Sequence, residues 1–141
     1  MAITFAVTDV DFELPEADRV KKWIIATIEN QNLKLGNIGY LFCSDAYLLE
    51  VNKQYLNHDT YTDIITFDYV EADRVSGDIL ISVDRVSENA KIFQVPFEQE
   101  LHRVIIHGIL HLLGQEDKSD RDAAMMRKKE DEALLNWNTI G

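Results

Sequence analysis

The spacing of apolar residues changes character several times along the chain, and each change predicts an element. Residues 3–7 form a short β-rich run. Pro15 opens a helix expected to reach about Asn32, with Val20, Trp23, Ile24, Thr27 and Ile28 on one face at 3–4 spacing. Residues 36–43 read as a strand. Ser44 or Asp45 can cap a helix through about Leu56, whose expected buried stripe is Leu48, Leu49, Val51, Asn52 and Tyr55. Residues 64–69 and 78–83 read as two further strands. Asp84 is expected to cap a helix reaching about Phe93. Pro96 opens another through Leu113, where Gly114 stops it, and Ser119 caps a last helix from about Asp120 to Trp137.

Strands and helices mixed in this order predict an α+β fold: a small mixed sheet of about four strands packed with about five helices. The 141 residues contain two prolines, six glycines and no low-complexity linker or repeat, so residues 1–141 are expected to form one compact domain. Nothing approaches the 18 or so consecutive apolar residues of a membrane span. The first residues lack a basic segment and a long apolar stretch, and five acids without a base lie between Asp9 and Asp18. A soluble cytoplasmic protein is therefore expected. The single cysteine, Cys43, reads as a small buried hydrophobe. Acidic residues number 25 against 14 basic ones, a net charge of −11, which weighs against strong nonspecific binding to nucleic acid.

The chemistry is concentrated between His107 and Asp117. Two histidines at i and i+4 share one helical face, a spacing that lets both imidazoles reach one metal ion. Ile105, Ile106, Ile109, Leu110, Leu112 and Leu113 surround them, so the helix is expected to be buried almost all round. Buried imidazoles need a hydrogen-bond partner or a metal. Gly114 can take a left-handed conformation and turn the chain back, bringing Asp117 toward the histidines as a third donor. Three protein donors with one position open is the arrangement of a catalytic metal site. The glutamate that zinc peptidases place after the first histidine is replaced by Gly108, which counts against proteolysis. His102, five residues before His107, falls off this face and reads as a surface or supporting histidine. His58, in a polar turn, reads as solvated.

The segment His107-Gly108-Ile109-Leu110-His111-Leu112-Leu113-Gly114 resembles the signature of the YbeY family of bacterial rRNA-maturation endoribonucleases. Thr62-Asp63-Ile64-Ile65-Thr66-Phe67, Gly77-Asp78-Ile79, Glu100-Leu101 and Val51-Asn52 through Tyr55 resemble further family elements in the same order. Two departures stand out. The family's third metal histidine falls on Asp117, with Gln115 where the family has tyrosine. An arginine that follows the family's Leu-Asn…Tyr element falls on Leu56.

The resemblance implies metal-dependent hydrolysis of phosphodiester bonds in single-stranded RNA. It implies His107, His111 and Asp117 as ligands of one divalent ion, most plausibly Zn2+. It also implies rRNA as substrate and ribosomal small-subunit proteins as possible partners, with no role for DNA or membranes. Aspartate is a competent ligand, but it makes the site less positive and more hospitable to harder cations. Asp63, Asp78 and Glu100 are candidates for general base or for orienting a ligand, and Thr66 for a phosphate contact. Lys53, Arg85 and Arg103 are the cations nearest the motifs. Lys118, Arg121, Arg127, Lys128 and Lys129 lie among seven acids and read as a solvated helix face. Two other readings stay open on sequence: a ribosome-assembly factor with a structural metal, and another kind of metallohydrolase.

Overall fold

The computed structural model describes residues 1–140. Among them are four strands, β1 (Ala2–Val7), β2 (Lys34–Cys43), β3 (Ile64–Asp68) and β4 (Arg74–Ser82), and five helices. The helices are α1 (Ala17–Glu29), α2 (Asp45–Leu56), α3 (Val83–Phe93), α4 (Phe97–Leu112) and α5 (Asp120–Trp137). The sheet order is β1-β2-β4-β3. β1 and β4 both run parallel to β2, and β3 pairs antiparallel with β4. The mixed α+β fold expected from the sequence is the one observed.

Alternation on β2 and β4 decides where the core lies. Ile38, Tyr40 and Phe42 on β2, with Val75, Ile79 and Ile81 on β4, are buried together with Ile105, Ile106 and Ile109 of α4. The Tyr40 hydroxyl donates to the Ile105 carbonyl at 2.9 Å, pinning α4 to the sheet. Burying a phenol hydroxyl without such a partner would cost free energy. The opposite sheet face carries Leu80 and Phe67 against the half-buried Val51 of α2, in a smaller cluster with Cys43, Leu48 and Ile65.

Capping residues set most helix ends. The Ser44 and Ser119 hydroxyls accept from the amides of Tyr47 and Asp122, as expected. At α3 the cap is Ser82, two residues before the expected Asp84, because the Ser82 hydroxyl reaches the Arg85 amide. Asp84 instead accepts from the Asp45 amide and ties α3 to α2. α1 is shorter than expected at its C-terminus. Its last turn closes on Ile28, and Asn32 adopts a left-handed φ of 59° on the way into β2. β4 begins four residues earlier than expected, since a tight turn with Ala72 at φ 55° makes β3 and β4 a hairpin. Tyr55 is exposed rather than part of the buried stripe of α2.

α5 is held at its end by α1. Arg19 donates to the carbonyls of Trp137 and Ile140 at 2.7 and 2.8 Å, and its guanidinium lies 3.9 Å from the Trp137 ring centroid. Trp23 Nε1 donates to the Ala133 carbonyl at 2.8 Å. The orphan carbonyls of a helix C-terminus are thus satisfied from another helix.

His102 is buried, not on the surface. Its ring packs against Trp137 and Trp23, with centroids 4.2 and 5.6 Å away, and its buried Nε2 has no hydrogen-bond partner. Burial pushes its pKa down to about 4. The unfolded chain therefore binds this proton more tightly than the native one. The associated stability is complete above pH 6.5 and is lost as the pH falls toward 4. His102→Leu should remove about 3 kcal/mol of acid sensitivity between pH 7 and 4, measured as the change in urea unfolding free energy against wild type.

Candidate metal centre

α4 carries both histidines on the face turned toward the β3 side of the sheet. Their rings stand nearly perpendicular, 5.2 Å apart. Gly114 has φ 98°, and the amides of Gly114 and Gln115 donate back to the His111 and Leu110 carbonyls. This closes α4 at Leu112, and the chain then returns toward the histidines. Asp117 ends 3.3 Å from His107 Nε2 through one carboxylate oxygen and 3.6 Å from His111 Nε2 through the other. One ligand atom from each of the three residues lies within 4.8 Å of the others. A tetrahedral ion with bonds of about 2.0–2.1 Å separates its donors by roughly 3.3 Å, so this donor set fits a divalent cation.

Glu130 was not singled out from the sequence, yet it orders the site. Its Oε2 lies 2.6 Å from His107 Nδ1, while its Oε1 accepts from Arg103 at 2.9 Å. The second arm of Arg103 donates to Asp131 at 2.8 Å. Burial alone would raise the Glu130 pKa, but its bonds to His107 and Arg103 outweigh that and hold it below the usual value. Glu130 is thus an ionised acceptor, and Nδ1 of His107 carries the proton. Nε2 is thereby left to face Asp117, the tautomer a metal requires. Burial pushes the His107 pKa down, but Glu130, Asp117 and Asp63 together raise it above its ordinary value.

The donors open onto a cleft of about 600 Å3 between α2, α3, β3, α4 and α5. Asp63, Thr66 and Glu100 all line it. Burial raises the Asp63 carboxyl above its usual pKa, against the pull of His107. Glu100 is almost fully buried, and burial raises its pKa against the pull of Arg103. Asp78 is not in this cleft. It is exposed, and strand alternation turns it to the opposite sheet face, beside Thr4, Gly39 and Tyr69. Its neighbour Gly77 faces α4, where a Cβ would stand 2.9 Å from the Leu112 side chain.

The cleft is acidic, lined by Asp63, Asp68, Glu100, Glu116, Asp117 and Glu130 against Arg103 and Arg127. Lys53 lies outside it, paired with Glu50 and Asp59, and Arg85 is held by Asp45. Leu56 lines the wall where a family arginine was expected. A Cβ at position 108 would stand 3.0–3.1 Å from the Ile79 and Ile64 side chains, so a peptidase-like glutamate would require both to shift.

Fold and site together define an α+β protein whose acidic cleft holds three side chains able to bind one metal ion. The chain belongs to the YbeY family: the family's sequence profile, described as Endoribonuclease YbeY, matches residues 3–138. It is 55% identical to the Endoribonuclease YbeY of Flavobacterium psychrophilum over 126 residues, 89% of this chain and 90% of that one. It is 48% identical to that of Parabacteroides distasonis over 134 residues, 95% and 94% of the two chains. The solution structure of TM1509 from Thermotoga maritima superposes with a TM-score of 0.66 at 29% identity, covering 98% of this chain and 93% of that one.

Glu130→Ala should weaken metal affinity by roughly 10- to 100-fold, since the partner that fixes the His107 tautomer is lost. Glu130→Gln retains an acceptor oxygen and should lose less. Competition titration against a chromophoric chelator measures both.

Proposed function

We propose that this chain is a metal-dependent endoribonuclease of rRNA maturation. It acts in the cytoplasm on single-stranded RNA rather than DNA, with one Zn2+ held by His107, His111 and Asp117. The observation that carries this reading is the donor set itself. Three side chains sit at ligand spacing, with one histidine fixed by Glu130, in the cleft of a chain whose relatives are named endoribonucleases. Three donors leave a position for substrate or solvent, which favours a catalytic over a structural metal.

When bound, the cation supplies Lewis-acid polarisation of a phosphoryl oxygen and lowers the pKa of water. The rest falls to the protein. Glu130 keeps the proton on Nδ1 of His107 and so keeps Nε2 available. Asp63, with its raised pKa, is a better proton acceptor near neutrality than an ordinary carboxylate, which supports it as the base for the attacking hydroxyl. Glu100 lines the same cleft, and burial first, then the Asp63 carboxylate, strengthens its hold on a proton. That coupling supports Glu100 as a reserve for the proton Asp63 accepts. Asp78, on the other sheet face, has no part in this chemistry.

Phosphate contact falls to Arg127. Arg103 is committed through both arms, whereas the Arg127 side chain is 57% exposed and, among the described residues, ion-pairs with Glu130 alone, at 3.7 Å. With a net charge of −11, the protein gains little from the RNA backbone at long range. That charge supports basic ribosomal small-subunit proteins as the partners that bring enzyme and rRNA together.

Purified protein should contain about one zinc per chain by mass spectrometry, and chelation should abolish cleavage of a labelled single-stranded RNA. His107→Ala and His111→Ala should each lose both metal and activity. Asp117→His should raise zinc affinity and narrow the choice of metals. A folded, metal-free protein that cleaves at the wild-type rate would refute the reading. Arg127→Ala should raise KM by roughly 2- to 5-fold, and the slope of log affinity against log salt should fall by about 1.

A further inference from the structure

The cleft has a second wall of different chemistry. Leu56 is the last residue of α2 and Phe93 the last of α3, and both side chains line the cleft. Each helix is ended by a left-handed residue, Asn57 at φ 57° and Gln94 at φ 56°. Backbone bonds from His58 to Asn52 and from Val95 to Ala90 lock those ends. The two side chains are therefore held in place by rigid backbone, yet Leu56 is 43% and Phe93 53% exposed. An apolar ring on a fixed helix end, left half in water inside a functional cleft, forgoes the stabilisation of burial. Asn89, one turn before Phe93, lines the same wall and carries both a donor and an acceptor.

We propose that Phe93, with Leu56 and Asn89, forms a nucleobase subsite. One unpaired base of the RNA stacks on the Phe93 ring and presents its edge to Asn89, while the adjoining phosphodiester lies at His107, His111 and Asp117. The occupant follows from continuity with the metal centre: a phosphodiester bound there brings its flanking bases into the same cleft. Every base has a π face able to stack on an aromatic ring. In a duplex those faces are covered by neighbouring pairs, so the subsite selects single strands. Thus the acidic wall handles the metal and protons, and the apolar wall selects the strand.

This inference rests on the endoribonuclease reading, and the experiment separates the two. Zinc-loaded protein is titrated with a short fluorescein-labelled oligoribonucleotide, and with a series in which one abasic nucleotide is stepped along the chain. Cleavage of the same oligonucleotides is followed in parallel. Wild type should lose roughly 5- to 100-fold in affinity when the abasic nucleotide occupies one particular position. Phe93→Ala should bind the intact oligonucleotide that much more weakly, with KM raised and metal content unchanged, and should no longer distinguish the abasic position. Phe93→Trp should restore both affinity and discrimination. Wild type that cleaves RNA while Phe93→Ala matches it on intact RNA would overturn the subsite alone. Equal losses for Phe93→Ala on intact and abasic RNA would do the same. Wild type that neither binds nor cleaves the intact oligonucleotide would overturn the endoribonuclease reading, and the subsite with it.

Discussion

The chain Arg103–Glu130–His107 is the constraint on which the site depends. It runs from α4 to α5 and back to α4, with 2.9 and 2.6 Å contacts on either side of one buried carboxylate. A buried charge left without partners would destabilise the fold severely. Here the guanidinium balances the carboxylate, and the imidazole proton completes it. The interaction that docks α5 on α4 is also the one that decides which nitrogen of His107 faces Asp117. Packing of α5 and readiness of the site are therefore the same event.

The electrostatics of the cleft follow from that arrangement. Its carboxylates outnumber its guanidinium groups, so before any substrate arrives the cleft attracts cations and repels phosphate. A divalent ion inverts this local logic. Asp117 makes the inversion less complete than a third histidine would, because its carboxylate adds one negative charge to the donor set.

Much of this was legible in local sequence. Ser44, Ser119 and Gly114 act where their side chains or backbone freedom predict, because caps and turns are settled by residues a few positions apart. The His-x-x-x-His stripe was legible for the same reason. Glu130 was not. It lies 23 residues after His107, amid charges that read as a solvated face, and only the docking of α5 buries it. A glutamate three and four residues before the core-facing Ala133 and Leu134, on the same helical face, is a weak hint of such a turn inward. His102 failed in the opposite direction: its distance from the metal face was legible, but the two tryptophans that enclose it come from α1 and α5. Asp78 was placed near the site by its motif, and strand alternation turned it away. Ser82 outcompeted Asp84 as a cap because the strand ends at Ser82, one residue earlier than its hydrophobic pattern indicated, and Val83 already belongs to the helix.

Arg19 and Trp23 clasp the end of α5 from a helix near the start of the chain. The clasp joins residues 118 positions apart in the chain, so α1 bears on the site without touching it: loosening Arg19 from Trp137 would free the end of the helix on which Glu130 rides.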